Sequence, residues 1–312
     1  MDLRELGKSG LHIAPLMLGG NVFGWTADRA ASFAVLDAFV DAGFNAIDTA
    51  DVYSAWVPGH EGGESERVLG DWLNARGLRD KVVIATKVGM WPRQPGLTAA
   101  NIVTAVEASL KRLQTDYIDL YQSHRDDDGV PQDETARAFG DLIMSGKVRA
   151  IGASNFAADR LASAQTAAGL AGVPRYETLQ PEYNLVDRSA FEGELAAFCQ
   201  RESVGVIPYY GLASGFLTGK YRSSADLGKS PRGRGMVKYL EGRGLQVLAA
   251  VDQVALETGA TAAQVSLAWL MVKVTAPIAS ATSVTQLLEL AGAARLTLSP
   301  DQISTLDGAG SV

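Results

Sequence analysis

The chain has 312 residues, 47% of them hydrophobic and 20% charged, with a formal net charge of −7. That composition is far from the polar, highly charged signature of disorder, and its acidic balance argues against a nucleic-acid or anionic-membrane surface. No run of about 18 apolar residues occurs, and Met1 to Gly10 lacks a secretory leader's charged start and apolar run, so a cytoplasmic protein acting on small molecules is expected.

Short runs rich in Val, Ile, Leu and Tyr alternate with longer amphipathic segments, the sequence form of βαβ units around a parallel sheet. Leu3 to Leu16, around the turn Gly7-Lys8-Ser9-Gly10, reads as a β-hairpin. Eight strands follow, near Leu16–Leu18, Asn45–Ile47, Val82–Thr86, Tyr117–Tyr121, Val148–Ile151, Glu177–Leu179, Gly205–Ile207 and Pro277–Ala279. This is the order of an α/β (β/α)8 TIM barrel preceded by an N-terminal hairpin. Barrels of this length form one domain, taken here as residues 1–312, and no linker divides the chain.

In the helix from Ala99, the residues Ile102, Val106, Leu110 and Leu113 recur at intervals of three and four, as a helix covering a sheet requires. Thr261 with Gln264, Ser283 with Gln286, and Ser299 with Gln302 carry the capping-box spacing, the last with Pro300 at the first helical position. Phe191, Leu195, Phe198 and Cys199 fall on one helical face, which makes the single cysteine a buried core thiol. Trp72 and Trp269 lie in helices and belong to the core. One stretch breaks the rhythm, 218–244, where Lys220, Arg222, Lys229, Arg232, Arg234, Lys238 and Arg243 lie among Gly and Ser. It reads either as a solvated, mobile insertion or as a long basic loop closing over a cofactor's phosphates.

The reactive side chains do not scatter. Asp48, Lys87, Ser123 with His124, Ser154 with Asn155, Gln180, Tyr209 and Ser280 each follow the end of a different strand, and so share the carboxyl rim where barrel enzymes carry their active sites. A lysine after the apolar run of Val82 to Thr86 needs a partner in a dry interior, and Asp48 can supply it. Tyr53, in DTADVY, can reach over the rim. Its phenol, with a reference pKa of about 10, would be lowered by an adjacent ammonium into a tuned acid or base. His124, in YQSHRD, can orient a carbonyl oxygen.

With those residues in view, FNAIDTADVYS, GESERVLGDWL, VVIATKVG, YIDLYQSHRDD, LIMSGKVRAIGASNF, LQPEYNLVDR and GFLTGKY resemble, in order, motifs of the aldo-keto reductase superfamily. The resemblance covers most of the chain. It implies a catalytic tetrad of Asp48, Tyr53, Lys87 and His124, with hydride passing between a nicotinamide and a carbonyl carbon. Tyr53 would give or take the proton, Lys87 lower its pKa, Asp48 orient Lys87, and His124 position the carbonyl. It also implies that Ser154, Asn155 and Gln180 bind the nicotinamide carboxamide and that the ring stacks on Tyr209. Gly211, Leu212, Ala213 and Ser214 would meet the pyrophosphate. No GxGxxG follows a strand here, so no Rossmann unit holds the cofactor. After the eighth strand the family usually carries a Lys or Arg for the 2′-phosphate of NADP. This chain reads PIASATSVTQLLEL, so Ser280, Thr282 and Gln286 can offer hydrogen bonds but no charge. The resemblance favours NADP(H), with NAD(H) possible. No metal is expected.

Phe23, Trp25, Trp56 and Trp91 follow rim positions and can wall a substrate pocket. The activity implied is reversible reduction of an aldehyde or ketone to an alcohol. Its rivals are an NAD-dependent sugar or polyol dehydrogenase and a non-catalytic cofactor-binding subunit of the potassium-channel β type. Oligomeric state is left open.

Overall fold

The computed structural model describes residues 1–230 and 233–310. An antiparallel pair, β1 (Arg4–Glu5) and β2 (His12–Ile13), precedes eight strands. These are β3 (Met17–Gly19), β4 (Ala46–Asp48), β5 (Val83–Val88), β6 (Ile118–Ser123), β7 (Val148–Ser154), β8 (Thr178–Gln180), β9 (Gly205–Val206) and β10 (Ile278–Ala279). They pair in parallel in the order β10-β3-β4-β5-β6-β7-β8-β9, with helices between them. The Ile278 amide donates to the Pro208 carbonyl at 2.9 Å, just beyond β9, so the row closes on itself as a (β/α)8 barrel.

The hairpin is the floor of that barrel. Leu6, Leu11 and Ile13 are buried in one cluster with the inward residues Met17, Ala46, Val83, Ala85, Leu120 and Ile278. Gly7 makes the fit possible: its φ is +63°, and a Cβ there would lie 2.1 Å from the Glu177 carbonyl oxygen. The second apolar layer lies outside, between strands and helices. There Ile102, Val106, Leu110 and Leu113 of the helix Ala99–Leu113 are buried as the periodicity predicts. Trp72 and Trp269 are fully buried, and each indole N–H has an acid, Asp37 and Asp307, at 2.8 Å.

Several strands run further than their apolar runs. Lys87 pairs with Gln122, Val88 with Ser123, and Ser154 with Gln180, so these polar residues end the strands instead of following them. Pairing is made by the backbone, and a polar side chain at the rim does not interrupt it. β9 is shorter than expected because Pro208 has no N–H to donate. The helix holding Cys199 is Glu194–Glu202, and Phe191 sits in the turn before it, separated by Gly193 at φ +100°. Cys199 is buried as expected, and burial pushes its thiol up to about 12.

Both Thr261–Gln264 and Ser299–Gln302 form complete capping boxes. At Ser283 only half forms: its hydroxyl accepts from the Gln286 amide, but the Gln286 carboxamide turns instead to Thr282. In its described residues the basic stretch 218–244 is not an open loop. It folds into the short turns Ser224–Lys229 and Gly233–Met236 and the helix turn Val237–Leu240, leading into the helix Arg243–Thr258. Tyr221, Met236 and Tyr239 are buried, and Tyr239 stacks on Phe216 with ring centroids 5.1 Å apart. Arg222 pairs with Asp252, Lys229 with Asp226 at 2.7 Å, and Arg243 donates to the Val186 carbonyl at 2.6 Å. Arg232 lies outside the described residues.

Candidate active site

The pleat decides which side chains meet. In β5, Val83 and Ala85 face the barrel interior while Ile84 and Val88 face the helices, so Lys87 points inward one layer above Ala85. Asp48 stands likewise above Ala46, and Gln122 above Leu120. The fully buried Lys87 Nζ donates to Asp48 Oδ2 at 2.6 Å, to the Thr49 carbonyl at 2.9 Å and to the Tyr53 hydroxyl at 3.1 Å. All three ammonium protons therefore have acceptors. The other Asp48 oxygen accepts from Gln180 at 2.9 Å and Gln122 at 3.3 Å. A buried charge needs this much compensation.

Tyr53 is held from outside the barrel by its own turn. β4 continues its pairing with β5 past Asp48, since the Thr49 amide bonds to Ala85 and the Asp51 amide to Lys87. The turn after Tyr53 is pinned by Glu64, which accepts from the amides of Ser54, Glu61 and Gly62. Burial would raise the Glu64 carboxyl, but the amides of Glu61, Glu64 and Ser54, with the charge of Arg67, outweigh it and hold it below the usual range. The Tyr53 ring stands 6.1 Å from the His124 ring.

The electrostatics correct one expectation. Burial raises the Tyr53 phenol more than Lys87 lowers it, with Asp48 adding to the rise, so the net direction is upward. Tyr53 is a protonated phenol at neutral pH. For Lys87, burial alone would lower the ammonium, but Asp48 and then Tyr53 more than offset it, and the shift is upward. His124 is pushed well below its ordinary range by burial first, then by the charges of Lys87 and Arg125. Its ring is neutral, and its buried Nδ1 has no hydrogen-bond partner among the described residues. The arrangement therefore sets a proton-bearing phenol between an ammonium and a neutral imidazole.

The residues expected to meet a nicotinamide form a second group beside this one. Ser154 Oγ donates to the Gln180 carbonyl at 2.8 Å. Asn155, in the left-handed region at φ +56°, donates to the His124 carbonyl and accepts from the Tyr209 hydroxyl at 2.8 Å. Gln180 serves both groups, because its amide N–H is on Asp48. Ser123 turns away onto the Tyr176 hydroxyl at 2.7 Å. Gly211 is buried beneath Leu270, and Leu212 opens a tight segment in which Ala213, Ser214 and Gly215 all have positive φ. Next to this segment, beyond β10, Ser280 donates to Asn21 at 2.7 Å, and Gln286 Oε1 accepts from the Thr282 amide at 2.9 Å and from its hydroxyl.

The four aromatics separate. Trp25 and Trp56 are edge-on at 5.8 Å, and Trp56 meets Tyr53 edge-on at 5.7 Å, so these rings form one wall beside the phenol. Phe23 is fully buried in the core and offers no surface to a ligand. Trp91 braces the Tyr53 turn: its N–H donates to the Glu61 carbonyl at 2.8 Å, and Arg112 lies over its ring.

Sequence reasoning passed over Gln122 and Glu64. The signal for Gln122 was its position two residues after Leu120, which places an amide on the inward face. Glu64 gave none, because one acid opening a helix looks like any other favourable helix start.

Residues 15–310 match the model of the Aldo/keto reductase family. The protein named Aldo-keto reductase AMT2 of Alternaria alternata is 33% identical over 338 residues, which cover 97% of this chain and 90% of that one. The uncharacterized oxidoreductase YrpG of Bacillus subtilis is 35% identical, covering 98% of this chain and 95% of that one. A probable voltage-gated potassium channel subunit beta of Arabidopsis thaliana is 33% identical over 86% of this chain and 83% of its own. No helix among the described residues is long and apolar enough to cross a membrane. With the barrel, its rim and a family match spanning nearly the whole sequence in agreement, the chain belongs to the aldo/keto reductase family.

Proposed function

We propose that this protein reduces an aldehyde or ketone to an alcohol, reversibly, with a nicotinamide dinucleotide as hydride donor and Tyr53 as general acid. The observation that carries the reading is the buried contact of Lys87 with both Asp48 and the Tyr53 hydroxyl. A phenol kept protonated at neutral pH suits donation to a forming alkoxide. Lys87, held in register by Asp48, stabilises the phenolate left behind. His124, neutral and 6.1 Å from Tyr53 ring to ring, has a nitrogen to offer the carbonyl oxygen.

The donor set fits the group that the family implies. Ser154, Asn155 and Gln180 combine hydroxyl and amide groups suited to a carboxamide, and Tyr209 supplies a ring face. The positive-φ run Ala213–Gly215 suits a backbone cradle for a pyrophosphate. When bound, the nicotinamide supplies hydride to the carbonyl carbon. Family membership favours NADP(H). NAD(H) is the rival because Ser280, Thr282 and Gln286 bring no cation and already hydrogen-bond within the protein.

The Trp25–Trp56 wall suits an aryl or alkyl carbonyl. The same rings would stack on a sugar, which keeps an NAD-dependent sugar or polyol dehydrogenase as the second reading. A panel of aldehydes, ketones and sugars with NADPH and NADH, run in both directions and compared by kcat/KM, decides between them. Reduction of aldehydes with either cofactor supports the proposal. Cofactor binding with no turnover of any carbonyl or alcohol would leave a non-catalytic subunit.

A further inference from the structure

Behind the barrel wall, at the level of Lys87, lies a buried ionisable group that the tetrad does not use. Asp51 is 1% exposed, two residues before Tyr53, and neither of its carboxyl oxygens has a hydrogen-bond partner among the described residues. Its amide donates to the Lys87 carbonyl, so it sits where the Tyr53 turn joins β5. The charged and titratable groups acting on it come from four elements. They are Glu66 of the helix Glu64–Arg76, Arg112 of the helix Ala99–Leu113, Lys87 of β5, and Tyr121 of β6.

The local charges do not balance if both acids ionise. Glu66, fully buried, accepts from Arg112 Nε at 2.6 Å and from the Thr86 hydroxyl at 2.6 Å. Among the described residues, Arg112 also donates to the Ser109 hydroxyl and lies over the Trp91 ring. Lys87 already serves Asp48, Thr49 and Tyr53. Two carboxyls thus share one guanidinium, and the one that neither Arg112 nor any side-chain hydroxyl hydrogen-bonds is Asp51. A carboxylate in that position would be both desolvated and beside a like charge, either of which favours the proton. Burial first, and then Glu66, push the Asp51 carboxyl up to about 8. The Tyr121 hydroxyl, buried and also without a partner, gives no compensating charge.

We propose that Asp51 is a positioning residue that works uncharged: the neutral acid lets the Tyr53 turn seat against β5, and its ionisation disturbs the Lys87–Tyr53 contact at alkaline pH. An ionised Asp51 puts a second carboxylate near Lys87, in competition with Asp48, and a buried unpaired charge under the turn draws that turn toward water. The inference rests on the reductase reading, because the contact it governs is the proposed proton-donating one.

The test uses the full chain and two readouts, the pH dependence of kcat for reduction and the infrared band of protonated carboxyl groups. In the unsubstituted protein kcat falls as pH rises through the range where the carboxyl band is lost. Asp51→Asn, which cannot ionise, removes a carboxyl band at neutral pH and moves the alkaline fall upward by about one pH unit or more. Glu66→Gln removes the like charge and moves both the fall and the band's loss to lower pH, so the test survives if the first variant does not fold. An unmoved alkaline fall in folded Asp51→Asn, or an unchanged band, overturns the assignment. A band that titrates as described with no turnover of any carbonyl at any pH overturns the reductase reading instead, and with it the positioning role.

Discussion

The Lys87 ammonium stands 3.1 Å from the Tyr53 hydroxyl and 2.6 Å from Asp48, on a side chain with no solvent exposure. Two opposing effects meet at that phenol. Burial disfavours phenolate, and the ammonium favours it. Burial wins, so the proton stays on Tyr53 at neutral pH. The ammonium's part is to hold the rise down, so that loss of the proton to a developing alkoxide is less unfavourable than for a buried phenol alone.

Replacing Lys87 by Met should therefore have two separable effects. Turnover should fall by about 10²-fold or more, as expected when a tuned proton donor is lost. Stability should also fall, by about 3–5 kcal/mol, because the buried Asp48 carboxyl would be left without its ion-pair partner. Single-turnover kinetics and denaturant midpoints measure the two effects. A loss of activity with unchanged stability would mean that Asp48 is not committed to Lys87.

Asp51 should leave its mark on stability as well as rate. Its folded-state value, about 8, lies above the ordinary carboxylate value of 3.8. Between those pH values the folded chain holds a proton that the unfolded chain has lost, so its contribution to stability falls as pH rises from about 4 to about 8 and is level above that. Thermal midpoints across this range should decline less in Asp51→Asn than in the unsubstituted protein. Parallel curves would show that Asp51 is ionised in the folded state.

Gly7 is tested by Gly7→Ala. The new Cβ would meet the Glu177 carbonyl at 2.1 Å, and the backbone there has φ +63°. Overpacking of this kind costs about 1–3 kcal/mol. Because the hairpin is at the barrel floor, kcat of the folded fraction should be unaffected while the denaturant midpoint drops.

The segment 218–244 is anchored through Tyr239, whose hydroxyl donates to Asp187 at 2.6 Å. Asp187 also accepts from Asn184, which in turn donates to the Tyr210 carbonyl next to Tyr209. Tyr239→Phe should lower stability by about 1.5–3 kcal/mol, as for a hydrogen bond to a charged acceptor. Limited proteolysis should then cut first within this segment. Unchanged protease resistance would show that the stack on Phe216 suffices as the anchor.

The barrel was legible because its strands are continuous apolar runs between amphipathic helices, and the clustering of Asp48, Tyr53, Lys87 and His124 because Asp48, Lys87 and His124 fall at or just beyond strand ends. Four things were hidden for physical reasons. The reach of β5 to β7 depends on backbone pairing with neighbours, which carries no side-chain signature. Phe23 looked like a pocket residue, yet it is buried in the core, since nothing local says which way a rim aromatic turns. The basic stretch read as either a mobile insertion or a closing loop because its charges lie among Gly and Ser, but Tyr221, Met236 and Tyr239 hold it, through contacts with residues distant in sequence such as Asp187. The sign of the Tyr53 shift was also beyond the sequence, because burial and a neighbouring charge act oppositely and only geometry weighs them.

The central claim is that the Tyr53 hydroxyl gives the proton in carbonyl reduction. Tyr53→Phe removes that oxygen alone and leaves Asp48, Thr49, Gln122 and Gln180 to hold Lys87 and Asp48 in place. The deciding measurement is the single-turnover rate of aldehyde reduction by Tyr53→Phe, with cofactor affinity measured alongside by fluorescence. The account predicts a rate lowered by about 10²-fold or more with cofactor affinity nearly unchanged. A rate within a few-fold of the unsubstituted protein, at the same cofactor affinity, would contradict it.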